Sequence, residues 1–235
     1  MIKNTLKDSL QKSIELIDVN LTLKGPSGNV NILHNISLSI CEGSSVAIVG
    51  PSGSGKTSLL MVMSGIERVT SGNILVNGED ISTMDEDQLS VYRRDNIGIV
   101  FQSFHLIPTM TALENIMIPL DFAKIENSYI VANEVINNVG LSHRSHHYPS
   151  QLSGGEQQRI ALARSFAVRP KILLADEPTG NLDNENSKHI IKLLFSLNKQ
   201  NMSTLLLVTH NSEIAKHCDR IITIEDGHVL NDIKR

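Results

Sequence analysis

The segment from Gly50 to Thr57 reads GPSGSGKT and fits the phosphate-binding pattern G-x-x-x-x-G-K-[ST]. Glycines let backbone N–H groups approach phosphate oxygens closely. Lys56 is placed to contact the β- and γ-phosphates, and the Thr57 hydroxyl is a suitable Mg²⁺ ligand. The alternative is an ordinary glycine-rich turn, but a preceding strand and a helix beginning at Thr57 favour a nucleotide site. The predicted nucleotide contacts are Gly50, Pro51, Ser52, Gly53, Ser54, Gly55, Lys56, Thr57 and Ser58.

Two acids follow the apolar strand predicted at 172–175. Side chains at the carboxyl ends of parallel strands point into the ligand crevice of a doubly wound sheet. Asp176 is therefore predicted to hold Mg²⁺, mostly through water, and Glu177 to orient or polarise the attacking water. The alternative is that both acids stabilise the N-terminus of a helix.

Two further polar residues follow predicted strands. His210 comes after the strand at 204–208 and is a candidate sensor of the γ-phosphate, although a structural histidine is the alternative. Gln102 comes after the strand at 97–101 and is a candidate ligand for Mg²⁺ or the water. The predicted metal ligands are Thr57, Gln102 and Asp176.

A second anion site is predicted within LSGGEQQR, residues 152–159. Ser153 and Glu156 have the spacing of a capping box, which begins a helix. Gly154 and Gly155 leave the backbone N–H groups exposed at that helix N-terminus, where an anion binds well. An ordinary capped helix explains Ser153 and Glu156 but leaves the paired glycines unexplained. Two helix N-termini suited to phosphate in one chain, at the phosphate loop and at this segment, suggest that each binds a different nucleotide.

The elements that position these residues alternate between strand and helix. Strands are predicted at 14–19 and 35–40, joined by a turn-rich link at 24–29, and an Asp226-Gly227 hairpin lies near the end. Residues from about 102 to 151 have helical patterns without strand signals, which predicts a helical subdomain inserted into one 1–235 domain. The expected fold is α/β, with a mostly parallel sheet and an N-terminal antiparallel β part.

Composition excludes several classes of function. The aromatic content is 3% and the net charge is −4, which argues against a nucleic-acid-binding surface. Cys41 and Cys218 are expected to be free thiols in a reducing compartment. No apolar run is long enough to span a bilayer, and the first thirteen residues lack a signal-peptide pattern. We therefore expect a cytoplasmic protein that reaches the membrane only through a partner.

Together these motifs resemble those of the ABC ATPases, in the family's order. They are GPSGSGKT, Gln102, LSGGEQQR, ILLADE, Asn181-Leu182-Asp183 and His210. The resemblance implies ATP and Mg²⁺ as cofactors and a head-to-tail homodimer, in which Ser153, Gly154 and Gly155 close over the γ-phosphate at the partner's phosphate loop. It also implies Glu177 as catalytic base, His210 as switch, and Asp183 as a contact across the dimer interface.

The match is closer to one branch of that family. DEPTGNLD at 176–183 and FQSFHLIPTMTALENI at 101–116 resemble the lipoprotein-release, macrolide-export and FtsE-type ATPases, most of all the YbbA type. This implies a separate transmembrane permease that ATP cycling energises, with transport or mechanical work as output. The alternative is a soluble ABC ATPase acting on DNA or ribosomes, which usually carries a long insertion or two cassettes. The family often stacks an aromatic ring on adenine where this chain has Leu23, so GTP is a second candidate substrate.

Two features have ordinary alternatives. His143, His146 and His147 have helical spacing that suits zinc, but a solvated loop is favoured because no acid or cysteine lies near them in sequence. The segment 112–116 is a candidate docking surface for the permease, and an ordinary capped helix is the alternative.

Overall fold

The computed structural model describes residues 11–25 and 28–235. The expectation that the chain has no signal peptide rests mainly on residues outside this range. The middle of the 24–29 link also lies outside it.

The elements are β1 (Lys12–Gly25), β2 (Gly28–Cys41), β3 (Ser45–Val49), α1 (Lys56–Met63), β4 (Ser71–Val76), β5 (Glu79–Asp80), α2 (Glu86–Asn96), β6 (Ile97–Val100), α3 (Ala112–Phe122), α4 (Ser128–Asn138), α5 (Gly154–Phe166), β7 (Ile172–Asp176), α6 (Asn184–Asn201), β8 (Thr204–Val208), α7 (Ser212–Ala215), β9 (Arg220–Glu225) and β10 (His228–Lys234). Short 3₁₀ turns lie at Ile81–Thr83, Ser142–Arg144 and Pro149–Gln151.

Contacts divide the described chain into two compact units. The first contains the described residues up to Leu89 together with His210–Arg235, and the second is Ser90–Thr209. The phosphate loop and His210 therefore belong to the first unit. The strand-end acids, Gln102 and the segment from 152 to 159 belong to the second.

The first unit contains the predicted antiparallel β part. Its strands lie in the order β2-β1-β4-β5, and β1 pairs antiparallel with both β2 and β4. β1 and β2 are longer than the strands predicted at 14–19 and 35–40. Register shifts in the β1–β2 ladder break the alternation of apolar and polar residues on which that prediction rests, although the strands stay paired. In the same unit β3 pairs parallel with β9, and β10 lies antiparallel to β9.

The second unit contains three parallel strands in the order β8-β7-β6. β7 and β8 are apolar over most of their length, and Leu173, Leu174 and Leu205 are buried. Such continuous apolar runs are typical of parallel strands covered on both faces. The predicted α/β fold with a mostly parallel sheet is confirmed.

Helices pack around these strands as their sequence periodicity predicts. On α6 the buried apolar stripe is Ile190, Ile191, Leu194 and Leu197. Between Gln102 and Gln151 the described chain forms α3, α4 and two 3₁₀ turns. Both cysteines are free thiols, as expected, and burial raises the pKa of Cys218 to about 12.

Candidate functional site

The phosphate loop follows β3 directly and leads into α1. Gly50 can only be glycine here, because an added Cβ would lie 1.9 Å from the Ile224 carbonyl oxygen of β9. Gly55 precedes α1 as its N-cap residue. The loop therefore passes tightly against β9 and brings the free N–H groups of a helix N-terminus to its end, which suits an anion.

Lys56 begins α1 and points back into its own loop. Its side chain is 7% exposed, and its Nζ donates a hydrogen bond of 2.6 Å to the Pro51 carbonyl oxygen. An ammonium group held over the loop places a positive charge where phosphates are predicted to bind. Thr57, the next residue, is exposed, and a hydroxyl oxygen is a ligand type that Mg²⁺ accepts.

The turn between β9 and β10 clamps the phosphate loop. Gly227 donates its N–H to the Ser54 carbonyl oxygen at 3.1 Å, and its own carbonyl accepts the His34 N–H at 2.9 Å. Asp226 and Gly227 have φ values of 45° and 74°, which confirms the predicted hairpin turn. Its contact with the phosphate loop could not be predicted, because the partners lie far apart in sequence.

Substituting this turn glycine is expected to weaken ATP binding. In Gly227→Ala the new Cβ would lie 2.4 Å from the Ile32 carbonyl oxygen, so the turn must move away from Ser54. Losing one hydrogen bond of about 1 kcal/mol corresponds to roughly fivefold weaker binding. Isothermal calorimetry on the purified variant measures the change.

Gly78→Ala is the matched control. Gly78 also has a positive φ, of 86°, in the same unit, but nothing lies within 4 Å of its added Cβ. This variant carries the backbone strain without the clash, so it is expected to lose stability while retaining ATP affinity. Equal ATP affinities in the two variants would show that the contact between Gly227 and Ser54 does not support ATP binding.

The second unit gathers the predicted strand-end residues at one edge. Val100 of β6 pairs with Ala175 of β7, so Gln102, just after β6, and Asp176, the last residue of β7, lie at the carboxyl ends of neighbouring parallel strands. Carboxylate and amide oxygens at such an edge form the hard donor set that Mg²⁺ prefers. Gln102 also makes two hydrogen bonds with the side chain of Asn181, one through its side-chain amide and one through its backbone carbonyl.

Glu177 has a strained backbone. Its φ is 44°, in the left-handed region that non-glycine residues rarely adopt. The conformation is held because its N–H bonds the Val208 carbonyl at 3.0 Å, and its own carbonyl accepts the Gly180 N–H at 2.9 Å. Strain of this kind clusters at functional sites, and the two hydrogen bonds hold the Glu177 backbone directly after β7.

The helix of the second predicted anion site begins with the predicted capping box. Ser153 Oγ accepts the Glu156 N–H at 3.3 Å, and Glu156 Oε2 accepts the Ser153 N–H at 2.8 Å. The Ser153 N–H, with smaller contributions from its hydroxyl and from Arg144, lowers the pKa of Glu156. α5 thus begins at Gly154, directly after the Ser153 cap.

The two glycines of this helix differ in their surroundings. Gly155 is buried, and an added Cβ would lie 2.6 Å from Asn186 Oδ1. Gly154 has room, since its nearest neighbour would be Leu182 at 3.4 Å. Close packing against Asn186 therefore explains why residue 155 is a glycine, which the sequence did not indicate. No such packing explains Gly154, for which access to the backbone N–H groups remains the reason.

Asp183 caps α6. Its carboxylate accepts the Glu185 and Asn186 N–H groups at 3.0 and 2.9 Å, together with the Asn186 side-chain amide at 2.6 Å. The Asn186 N–H bond is the main cause of its lowered pKa. This capping role was missed, although an Asp before a helical pattern is a typical N-cap signal. Its predicted contact across a dimer interface stays a prediction.

His210 is exposed, two residues after β8.

The two ordinary alternatives of the sequence analysis agree with the structure. His143 and His146 are exposed around a 3₁₀ turn, and the described residues contain no cluster able to hold a metal ion. In the segment 112–116 every side chain except Glu114 is buried, and Thr111 caps the helix. That segment is therefore core rather than a docking surface.

No helix in the described chain is long and apolar enough to cross a bilayer.

Comparison with known proteins decides the family. Residues 33–180 match the ABC transporter family. The lipoprotein-releasing system ATP-binding protein LolD of Geobacter metallireducens is 42% identical over 221 residues, covering 93% of this chain and 98% of LolD. The chain belongs to the ABC transporter family.

Further relatives place this ABC cassette more narrowly. The macrolide export ATP-binding/permease protein MacB of Bdellovibrio bacteriovorus is 43% identical over 203 residues, which are 86% of this cassette but 31% of MacB. A dimeric structure of the cassette MJ0796, bound to ADP and Pi, is 39% identical with a TM-score of 0.87, covering 94% of this chain and 98% of that one. The predicted LolD/MacB branch and the ATPase activity are confirmed, and the DNA or ribosome alternative gains no support.

Proposed function

We propose that the cassette binds Mg·ATP through the phosphate loop and hydrolyses it with Glu177 as general base. The observation that carries this proposal is the position of Glu177 directly after β7, on a strained backbone that two hydrogen bonds hold. Lys56 neutralises phosphate charge, and His210 contacts the γ-phosphate. Thr57, Gln102 and Asp176 are the proposed oxygen ligands for Mg²⁺, and the ion neutralises charge on the β- and γ-phosphates when bound.

Two cassettes are proposed to pair head to tail around ATP. The start of α5, where Ser153 is exposed and Gly154 half-buried, supplies a helix N-terminus separate from the phosphate loop. An anion bound there is stabilised by free N–H groups and the helix dipole. The dimeric MJ0796 structures support pairing as the arrangement that fills this site. Asp183 is proposed to face the same interface.

A groove in the second unit is the proposed docking surface for a membrane permease. It has a volume of about 550 Å³ and lies among α2, β6, α3 and α5. Its lining includes Val91, Arg94, Ile118, Pro119, Phe122 and Arg164. The ring of Phe122 is 71% exposed. Exposing so much apolar surface to water is unfavourable, which indicates that a partner covers this ring. An apolar groove with charged groups beside it suits a short amphipathic helix of the permease.

Placing a charge in this groove is expected to detach the cassette from membranes. Phe122→Asp removes the exposed ring and puts a carboxylate where an apolar helix face would bind. Most of the wild-type chain is expected in the membrane fraction of its own organism, and most of the variant in the supernatant. Sedimentation followed by immunoblotting measures both fractions.

Tyr129→Asp is the control for that experiment. Tyr129 is another exposed aromatic residue of the helical region, at 57%, but it does not line the groove. It is expected to sediment as the wild type does. If both variants stay with the membranes, the permease docks elsewhere.

Leu23 is proposed to lie under the base of the nucleotide. It pairs with Val30 across the β1–β2 ladder. β2 runs beside the phosphate loop, because an added Cβ on Gly55 would lie 3.0 Å from the Ile32 carbonyl oxygen. An aliphatic side chain packs on any base and selects weakly among them, so both ATP and GTP are proposed substrates.

An aromatic ring at this position is expected to strengthen nucleotide binding. Stacking a base on a ring contributes about 1–3 kcal/mol, so Leu23→Tyr is expected to bind ATP about fivefold tighter. Leu230→Tyr, on exposed β10, is the control and is expected to change nothing. Competition against a fluorescent ATP analogue measures both. Unchanged affinity in Leu23→Tyr would place the base elsewhere.

A further inference from the structure

The side chain of Asn181 makes a double contact with Gln102. Its Nδ2 donates to the Gln102 backbone carbonyl oxygen at 3.1 Å, and its Oδ1 accepts from Gln102 Nε2 at 3.2 Å. The two residues are 79 positions apart. The pair therefore joins the segment after β6 to the segment after β7, at the edge where Gln102 and Asp176 lie.

This contact has only one consistent polarity. A backbone carbonyl oxygen can only accept a hydrogen bond, so the end of the Asn181 amide that faces it must be the NH₂ group. The other end, Oδ1, then requires a donor, so Gln102 must present its own NH₂ group there. The Gln102 Oε1 atom is left at the opposite side of its amide. A metal ion binds that oxygen and not the NH₂ group.

Gly180 completes the support for Gln102. An added Cβ on Gly180 would lie 2.6 Å from Gln102 Nε2 and 2.9 Å from its Cδ. The Gln102 amide therefore packs directly on the Gly180 backbone. Asn181 and Gly180 together fix where this amide lies and which end it presents.

The loop that carries Asn181 does not depend on this side chain for its shape. The Gly180 N–H bonds the Glu177 carbonyl at 2.9 Å, and the Leu182 N–H bonds the Thr179 carbonyl at 3.1 Å. Asp183 then begins α6 through its own capping bonds. Asn181 is exposed, and the side-chain hydrogen bonds described for it go to Gln102.

We propose that Asn181 is a positioning residue that fixes the Gln102 amide with its Oε1 presented to the Mg²⁺ of bound ATP. This rests on the proposed function, in which Gln102 is a metal ligand. Partners that orient a metal ligand commonly change metal affinity when they are removed, because an unheld ligand spends less time in the binding orientation. In this cassette a freely flipping amide would offer its NH₂ end part of the time.

The test measures metal affinity rather than turnover. Mn²⁺ is titrated into Glu177→Gln protein saturated with ATP, and the free ion is quantified by its EPR signal. Adding Asn181→Ala is expected to weaken Mn²⁺ binding about tenfold, the low end of effects for such partners. Gly180→Ala would push the same amide away through its Nε2 end and is expected to act alike. Asn184→Ala, an exposed asparagine at the start of α6, is the control and should have no effect.

A double variant separates positioning through Gln102 from any other role. Gln102→Ala alone is expected to weaken Mn²⁺ binding at least as much as Asn181→Ala. Adding Asn181→Ala to Gln102→Ala is expected to cause no further loss, because the group that it positions is already absent. Additive losses would overturn the proposal.

The remaining outcomes distinguish this inference from the proposed function. If Gln102→Ala weakens Mn²⁺ binding but Asn181→Ala behaves as Asn184→Ala does, the positioning role is wrong and the metal role of Gln102 stands. If Gln102→Ala has no effect, both are wrong. ATP saturation of each variant is checked beforehand by nucleotide retention.

Discussion

Glu177→Gln is expected to bind ATP normally and to lose at least about a hundredfold of the hydrolysis rate. General base catalysis contributes about 10²–10⁴ to rates, and an amide cannot accept the proton of the attacking water. The substitution keeps the shape of a side chain whose backbone is held in a strained conformation. Because ATP then persists, the paired form should accumulate. Phosphate release and size-exclusion chromatography with ATP measure the two effects.

Glu185→Gln provides the matched control for this experiment. Glu185 is an exposed glutamate in the first turn of α6, and its side chain is not assigned to the chemistry. Its hydrolysis rate is expected to equal that of the wild type. Wild-type turnover in Glu177→Gln would remove this residue from the mechanism.

Lys56→Ala is expected to reduce ATP affinity by about 10–100-fold. Hydrogen bonds to charged groups contribute roughly 1.5–3 kcal/mol each, and this ammonium is already held over the loop by the Pro51 carbonyl. Equilibrium binding of a fluorescent ATP analogue measures the loss, with circular dichroism to verify folding. Lys171→Ala, an exposed lysine before β7, should bind as the wild type does. Undiminished affinity in Lys56→Ala would contradict its assignment.

Much of this fold could be predicted because local signals agreed with the final structure. The phosphate-loop pattern lay between a strand and a helix, Ser153 and Glu156 formed their capping box, and Asp226-Gly227 formed its hairpin turn. The apolar run at 204–208 became β8 with the predicted bounds. In each case the information lies within a few residues of the feature.

The rest depends on contacts between distant residues, which local patterns do not contain. Gly227 gave a hairpin signal, but nothing near it indicated that its N–H bonds the phosphate loop. Asn181 belonged to a family motif, yet its pairing with Gln102 appears only when β6 and β7 are neighbours. Gly155 suggested an exposed backbone and is in fact packed against Asn186. β1 and β2 run past their predicted ends because register shifts break the alternation without ending the pairing.

ATP binding by this cassette is proposed to serve a membrane partner. The most direct measurement is a pull-down of tagged Glu177→Gln from detergent-solubilised membranes of its own organism, with and without ATP, followed by mass spectrometry. A protein with several membrane spans is expected to co-purify with Glu177→Gln, and to be lost when Phe122→Asp is added to that variant. Recovery of ribosomal proteins or DNA instead, with no membrane protein in either condition, would contradict the claim.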